Sequence, residues 1–180
     1  ITSAVGVNSV TLTNAGTVTG NADIESYQLA DGGNDFTLGA SAQNVSGGSG
    51  DDVFNSDALT SLTGTLVGGG GNDVLNIQSS MQLSATLTDI DTIAIASNVD
   101  LTTIIADNAL IGSAAGSNFV TLLDAGTLTG AAEIEAYRLA DGGNTFTLGS
   151  DSQSVIGGSG DDVVHSGAFT ALTGTYTLDG

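Results

Sequence analysis

The chain has 180 residues, of which 20 are Asp or Glu and only one is Lys or Arg, so its formal net charge at pH 7 is −19. Nucleic acids and anionic lipid surfaces attract clustered cationic side chains, and a membrane span needs ~18 consecutive apolar residues, so we expect neither nucleic-acid binding nor membrane insertion. Because repulsion among carboxylates destabilises a compact chain, the charge indicates a strongly solvated surface or the binding of cations.

Short strands separated by glycine-rich turns are predicted along the chain. The alternating segments are, in chain order, SVTLT (9–13), DFTLG (35–39), DVLNI (73–77) and DTIAIA (91–96). Alternation with a period of two is typical of strands. Glycine and β-branched residues every few positions would each cost about 0.5–1 kcal/mol in a helix interior. The sequence therefore predicts an all-β protein.

Between residues 27 and 54, apolar residues recur every nine positions, at Tyr27, Phe36, Val45 and Phe54. Strands of three to five residues at this spacing predict a parallel solenoid of about 18 residues per coil, where a coil is one winding with two strands. An antiparallel sandwich also has short strands and frequent turns. Nothing in a sandwich, however, requires polar residues to align every 18 positions.

A long internal repeat organises the whole chain. Residues 6–65 and residues 116–175 are identical at 40 of 60 positions. We therefore expect residues 1–110 to form a first solenoid unit of about six coils. Residues 111–180 would form a second, incomplete copy that continues the first, as part of a longer array.

Polar residues fall into two columns at the spacing of one coil. The first column consists of Asn34, Asp52, Asp73 and Asp91 in the first copy, with Asn144 and Asp162 in the second copy. The other column consists of Asn8, Glu25, Gln43, Asn118, Glu135 and Gln153. Glycine-rich segments precede members of the first column, although Asp91 lacks one, and no such segment precedes the other column. We therefore expect the other edge to bind no metal and to be held by side-chain hydrogen bonds.

A nine-residue pattern, G-G-x-G-x-D-x-U-x with U apolar, occurs three times in the chain. The three segments are GGSGDDVFN (47–55), GGGGNDVLN (68–76) and GGSGDDVVH (157–165). This pattern resembles the calcium-binding repeats of the RTX (repeat-in-toxin) family of bacterial secreted proteins. The resemblance implies a right-handed parallel β-solenoid of the β-roll or β-helix type, with Ca²⁺ bound between neighbouring coils.

Calcium takes 6–8 oxygen ligands from carboxylates and carbonyls, and glycine lets the backbone curl around an ion. The resemblance implies that Asp52 and Asp73 share one ion and that Asp73 and Asp91 share the next. Asp162 would need a partner beyond residue 180. The full set of implied metal ligands is Asp52, Asp73, Asp91 and Asp162, with the carbonyls of Gly47, Gly48, Gly50, Gly68, Gly69, Gly71, Gly157, Gly158 and Gly160.

Some positions depart from the pattern. Asn34 and Asn144 stand where the sixth-position aspartate belongs, with fewer glycines before them, so the pattern does not support an ion between Asn34 and Asp52. We expect Asp51 and Asp161, in the fifth position, to be solvated and not to act as ligands.

The sequence offers little material for catalysis, and we expect no enzymatic activity. His165 is the only histidine, Arg138 is the only cation, and both are replaced in the first copy, so we expect them on the surface. Paired carboxylates could in principle cleave glycosidic bonds, but the calcium hypothesis already uses those pairs. Threonine ranks of the kind found on ice-binding solenoids do not form at the spacing of one coil.

The expected function is therefore structural. The resemblance implies an extracellular or cell-surface bacterial protein that is exported by a type I system and folds when it binds calcium. We expect a tandem-repeat building block of a surface layer, a filament or an adhesin stalk, which self-associates or continues into further copies. The alternative is a calcium-dependent folding and secretion module of a type I-secreted enzyme or toxin.

Overall fold

The computed structural model describes residues 6–96, 98–103, 110–113 and 117–178. All regular elements in these ranges are β-strands. Within the same ranges, no helix exists that is long and apolar enough to cross a membrane. The chain is divided into two compact units, Ile1–Ala94 and Ile95–Gly180. The two units do not coincide with the two copies of the sequence repeat, because the boundary between the copies follows residue 110. Residues 104–109, just before that boundary, lie outside the described part.

The first unit is built from short strands that pair in parallel. Its strands are β1 (Ser9–Thr11), β2 (Thr17–Thr19), β3 (Ser26–Gln28), β4 (Asp35–Thr37), β5 (Asn44–Ser46), β6 (Val53–Asn55), β7 (Ser61–Leu62), β8 (Thr65–Val67), β9 (Val74–Ile77), β10 (Met81–Leu83), β11 (Thr86–Thr88) and β12 (Thr92–Ile95), of which the last ends one residue past the unit. Two sheets have the orders β1-β3-β5-β8-β11 and β2-β4-β6-β9-β12, and β7 pairs with β10.

The second unit repeats this arrangement. Its strands are β13 (Asp100–Thr103), β14 (Leu110–Ser113), β15 (Phe119–Leu122), β16 (Thr127–Thr129), β17 (Ala136–Arg138), β18 (Thr145–Thr147), β19 (Ser154–Ile156), β20 (Val163–His165) and β21 (Tyr176–Thr177). One sheet has the order β13-β15-β17-β19-β21 and another the order β16-β18-β20. All strand pairs described within this unit are parallel.

The strand register confirms the predicted parallel β-solenoid and excludes the antiparallel sandwich. Phe36 lies opposite Phe54, and Tyr27 lies opposite Val45, so the two residues of each pair are one predicted coil apart. Phe54 in turn lies opposite Leu75, which makes this coil longer than the one before it. The longer coil contains the additional strand β7, which gives the coil a third side.

The core consists of inward side chains of the strands, joined by apolar residues of the turns such as Ile24 and Leu38. The central residues of β4 and β6 are Phe36 and Phe54, the corresponding residue of β9 is Leu75, and all three are fully buried. Because side chains alternate between the two faces of a strand, the residues on either side of them point outward. Burial of one such side chain stabilises the fold by about 1.5–3 kcal/mol. Each coil therefore provides a complete apolar layer against which the next coil packs.

Candidate metal centre

The aspartate column lies at one corner of the first unit, where the chain enters the second sheet. Asn34, Asp52, Asp73 and Asp91 each immediately precede a strand, namely β4, β6, β9 and β12, and these strands are neighbours in the sheet. Asp52 and Asp73 are fully buried, whereas Asp91 is exposed. The structure thus brings together the three aspartates that the sequence places in one column. Asp162 has the same position in the second unit, before β20.

Each carboxylate of the column uses one oxygen to bind the backbone of the preceding coil. The backbone N–H of Asn34 donates to Oδ1 of Asp52 over 2.8 Å, and the N–H of Asp52 donates to Oδ1 of Asp73 over 2.8 Å. The N–H of Asp73 donates to Oδ2 of Asp91 over 2.7 Å. These bonds form a continuous ladder along the column, and they leave the second oxygen of each aspartate for other contacts.

Two of the second carboxylate oxygens have no hydrogen-bond partner within the described residues. Oδ2 of Asp73 and Oδ2 of Asp162 are buried and have no hydrogen-bond partner among the residues that the structure describes. Oδ2 of Asp52 accepts a hydrogen bond from the backbone N–H of Gly48 over 3.1 Å. A buried carboxylate oxygen without a partner is costly, and a proton or a cation would relieve this cost.

The pKa of Asp73 also indicates that its negative charge is disfavoured in the folded protein. Burial raises the pKa of the Asp73 carboxyl above its usual value, against the lowering effect of the hydrogen bond from the Asp52 backbone. The negative charges of Asp52, Asp91 and Asp51 raise this pKa further. The position of Asp73 is therefore one where the fold disfavours uncompensated negative charge.

The two asparagine turns show how the same corner is closed without a cation. The two hydrogens of Asn34 Nδ2 are shared among three acceptors, the carbonyl of Ala30 at 2.9 Å, the carbonyl of Gly32 at 2.8 Å and Oδ1 of Asp52 at 2.7 Å. In the second unit, Nδ2 of Asn144 makes the equivalent three bonds, to Ala140 O, Gly142 O and Asp162 Oδ1. One amide group thus joins two carbonyls of its own turn to a carboxylate of the next coil.

An aspartate cannot make these bonds. In the turn that ends at Asp52, the residues equivalent to Ala30 and Gly32 are Gly48 and Gly50. An ionised carboxylate has no hydrogen to donate, so the side chain of Asp52 accepts from the N–H of Gly48 and cannot bond to the carbonyls of its turn. Carboxylate and carbonyl oxygens are the ligands that Ca²⁺ prefers.

The first glycine of each tract leaves room for the carboxylate. A Cβ atom at Gly47 or Gly68 would lie closer than 3.0 Å to Oδ2 of Asp52 or Asp73, respectively. The same holds for Gly157 and Oδ2 of Asp162. At Gly47 and Gly68 a Cβ atom would also collide with a backbone carbonyl, that of Gly68 or of Asp89. The close approach of these atoms therefore requires glycine, which the nine-residue pattern alone does not reveal.

The other predicted glycines shape the turns and pack against the neighbouring coil. Gly50, Gly71 and Gly160 have φ angles of 116°, 124° and 114°, which side chains other than glycine rarely adopt. A Cβ atom at the second glycine of each tract would lie closer than 3.0 Å to a backbone carbonyl of an adjacent coil, at Gly48, Gly69 and Gly158.

The residues present therefore fit Ca²⁺ in their chemistry and in the unsatisfied oxygens of the column. In the described ranges, no group of three or more Asp, Glu, His or Cys side chains is arranged to hold a metal ion. An ion at this corner would therefore have to be bound by one or two carboxylates together with backbone carbonyls. Calcium binding and the full ligand set remain predictions.

The opposite corner is held by side-chain hydrogen bonds, as the sequence predicts. Gln43 is buried, and its Nε2 donates to the carbonyls of Asn21 and Ile24 over 2.8 and 2.9 Å. Its Oε1 accepts from the backbone N–H of Gly39 over 2.8 Å. Gln153 makes equivalent bonds to Ala131, Ile134 and Gly149 in the second unit.

Glutamates of the same edge extend this network. Oε2 of Glu25 accepts from the backbone N–H of Asn8 over 2.7 Å, and this bond lowers the pKa of Glu25. In the second unit, Oε2 of Glu135 accepts from the N–H of Asn118 over 2.7 Å. Both of these bonds join one coil to its neighbour.

Several carboxylates have structural roles that the sequence analysis missed. Asp51 is exposed, as expected for a solvated residue, but its Oδ1 also accepts from the backbone N–H of Asn72 over 2.8 Å. Oδ1 of Asp141 accepts from the N–H of Ser159 over 2.9 Å, which lowers the pKa of Asp141. Asp141 and Ser159 are one coil apart in the sequence, and this spacing could have indicated the contact.

The remaining candidates lie where the sequence predicts them. His165 ends β20 and Arg138 ends β17, and both side chains are exposed. Asp161 is exposed as well.

No family model, curated protein or solved structure matches this chain. The resemblance to RTX repeats therefore rests on the three nine-residue segments and on the compatibility of a parallel solenoid with such repeats.

Proposed function

We propose that this chain is a segment of an extracellular structural protein of a bacterium, a tandem-repeat solenoid of the RTX type that is stabilised by Ca²⁺. The observation that carries the proposal is the contrast between the turns that end at Asn34 and at Asp52. The first is closed by a side-chain amide that donates hydrogen bonds to carbonyls of its turn, whereas at the equivalent place the second has a carboxylate, which accepts from the N–H of Gly48 and has no hydrogen to donate. A divalent cation is the simplest group that closes the second kind of turn.

Two ions would be held at the corner of the first unit. Asp52 and Asp73 would bind one of them and Asp73 and Asp91 the other, and in the second unit Asp162 would contribute to a further site. The carbonyl ligands would come from Gly47, Gly48, Gly50, Gly68, Gly69, Gly71, Gly157, Gly158 and Gly160. Bound Ca²⁺ supplies the positive charge that the buried carboxylates of this column lack.

The extracellular location is proposed because of the expected affinity. Calcium sites of extracellular modules bind with dissociation constants of about 10⁻⁴–10⁻³ M. A site with few carboxylates, in a chain of net charge −19, would be filled outside the cell and empty in the cytoplasm. Folding would then be coupled to export, because an ion that binds only the folded state shifts the folding equilibrium.

A structural role in a surface layer, filament or adhesin stalk is proposed because the coils use their polar residues to bind each other. Polar side chains form hydrogen bonds within the solenoid at Gln43, Asn34 and Glu25. In the alternative, a folding module of a secreted enzyme or toxin, the calcium chemistry would be the same.

Titration calorimetry with CaCl₂ tests the proposed function. The calcium-free chain is compared with the double variant Asp52→Asn/Asp73→Asn and with the control Asp51→Asn/Asp57→Asn, which removes the same charge from two exposed positions. We expect saturable binding in the millimolar range or tighter for the wild type and the control, and binding at least about tenfold weaker for the first variant. No saturable binding by the wild type, or equal binding by the two variants, contradicts the proposal.

A further inference from the structure

One segment of the first unit has both of its corners closed by amide groups. In residues 20–46, Asn34 closes the corner before β4 and Gln43 closes the corner before β5. The amide of each residue bonds to carbonyls of its surroundings and thus needs no cation. Residues 130–156 of the second unit have the same two closures, made by Asn144 and Gln153.

These two segments also contain aromatic pairs. The rings of Tyr27 and Phe36 lie 4.8 Å apart, and so do the rings of Tyr137 and Phe146. The tyrosine hydroxyls are tied to the backbone, because the N–H of Asn21 donates to Tyr27 and the N–H of Ala131 donates to Tyr137. Aromatic pairs of this kind add about 0.5–1.5 kcal/mol beyond the area that they bury.

The neighbouring segment 47–77 is different. It contains the first two glycine tracts with Asp52 and Asp73, and its fully buried Asp73 has an oxygen without a partner. Within the described residues, the buried polar atoms that lack a partner belong to Asp73, Asp162 and Tyr176, and none of these lies in residues 20–46 or 130–156. The unsatisfied groups are thus confined to parts of the chain outside the two amide-closed segments.

From this contrast we infer that residues 20–46 and residues 130–156 are calcium-independent folding cores, one in each unit. Within each core the first and third strands pair with each other, and the middle strand pairs with strands of the adjoining coils. The core thus presents paired strands on which the next, aspartate-containing coil is stacked when its charge is compensated. The inference goes beyond the proposed function, because the cores would form whether or not the aspartate turns bind an ion.

Hydrogen exchange followed by mass spectrometry, on the full chain with and without calcium, tests the inference. Without calcium, we expect hydrogen-bonded amides in residues 20–46 and 130–156 to exchange at least about tenfold more slowly than those in residues 47–77. Equal exchange in the three segments, whether fast or slow, overturns the inference. If calcium changes nothing in residues 47–77 while 20–46 stays the slower segment, the cores are supported and the proposed function fails.

A single substitution tests the role of the amide. Asn34→Asp replaces an amide that donates hydrogen bonds with a carboxylate that only accepts them. In the absence of calcium we therefore expect the protection of residues 20–46 against hydrogen exchange to fall at least about tenfold. The control is Asn72→Asp, which adds the same charge at an exposed position of a glycine tract and should leave this protection within about twofold. Equal protection in Asn34→Asp and the control overturns the inference. The exchange rates of the three segments in the wild-type chain test the inference without this variant.

Discussion

Nδ2 of Asn34 and Oδ1 of Asp52, which belong to neighbouring coils, are joined by a hydrogen bond of 2.7 Å. The same nitrogen also donates to the carbonyls of Ala30 and Gly32. Asp52 has the position of Asn34 one coil later, but its carboxylate cannot donate to its own turn. The exchange of an amide for a carboxylate therefore separates turns whose side chain donates to their own carbonyls from turns whose side chain only accepts hydrogen bonds.

Replacement of Asp73 with Asn should stabilise the calcium-free protein. The new amide can donate to two carbonyls of its turn, as Asn34 does, and each such bond contributes about 0.5–1.5 kcal/mol. We expect the free energy of unfolding without calcium to rise by about 1–3 kcal/mol, and the response of the variant to calcium to weaken. Urea denaturation with and without CaCl₂ measures both effects. Asp51→Asn is the control, and an equal gain in that variant would show that charge reduction alone is responsible.

The two glycines Gly68 and Gly70 should differ in their tolerance of alanine. A Cβ atom at Gly68 would collide with the Asp73 carboxylate and with the carbonyl of Asp89, whereas the nearest atom to a Cβ at Gly70 is 4.0 Å away. We expect Gly68→Ala to destabilise the protein by about 2 kcal/mol or more, and Gly70→Ala by less than about 0.5 kcal/mol. Thermal denaturation in CaCl₂ checks this order, and similar losses in both variants would argue against the described packing of the tract.

Gln43 should be essential to the metal-free corner. Gln43→Ala leaves the carbonyls of Asn21 and Ile24 and the N–H of Gly39 without this partner. Because each buried unsatisfied group costs about 1–3 kcal/mol, we expect the free energy of unfolding to fall by about 3 kcal/mol or more. The control is Gln82→Ala, at an exposed position. A loss at Gln43 no larger than at Gln82 would contradict the closure of this corner by the amide.

The stability of the calcium-free protein should depend on the protonation of Asp73. Since burial raises its pKa in the folded state above the ordinary value of 3.8, the folded protein binds this proton more tightly than the unfolded chain does. The associated destabilisation is fully present above the folded pKa and disappears as pH falls through it. The lowered pKa values of Glu25 and Asp141 act in the opposite sense, and their contribution is lost below the usual carboxyl range.

We therefore expect the urea midpoint in calcium-free buffer to rise as pH falls toward the ordinary carboxyl pKa of 3.8, and to rise less in Asp73→Asn. Relief of general repulsion contributes to the increase in both proteins, so the difference between them isolates Asp73. Parallel pH profiles would contradict a raised pKa at this residue.

The sequence was sufficient to predict the architecture because a solenoid repeats its constraints. The spacing of Tyr27 and Val45, or of Phe36 and Phe54, fixes the strand register directly. The longer step from Asp52 to Asp73 was visible in the sequence as well. That the additional residues form β7 and give the coil a third side could not be read from it, because so short a strand shows no period.

The chemistry of the corner was only partly predictable. The spacing in the sequence predicts the column of Asp52, Asp73 and Asp91. Which oxygen of each carboxylate accepts a hydrogen bond from the backbone depends on the side-chain rotamer, which the spacing does not give. The sequence analysis treated Asn34 as a defective metal ligand. The structure shows that its amide donates to a carboxylate and to carbonyls of its own turn, a role that depends on the distance of two carbonyls in that turn.

Anomalous diffraction from a crystal grown in CaCl₂ is the most direct test of the calcium hypothesis. The map should contain a calcium peak in contact with the carboxylates of Asp52 and Asp73 and with carbonyl oxygens of the tract that begins at Gly47. A well-ordered map in which this corner holds no peak, or in which the Asp73 carboxylate bonds only to protein and water, would contradict the account.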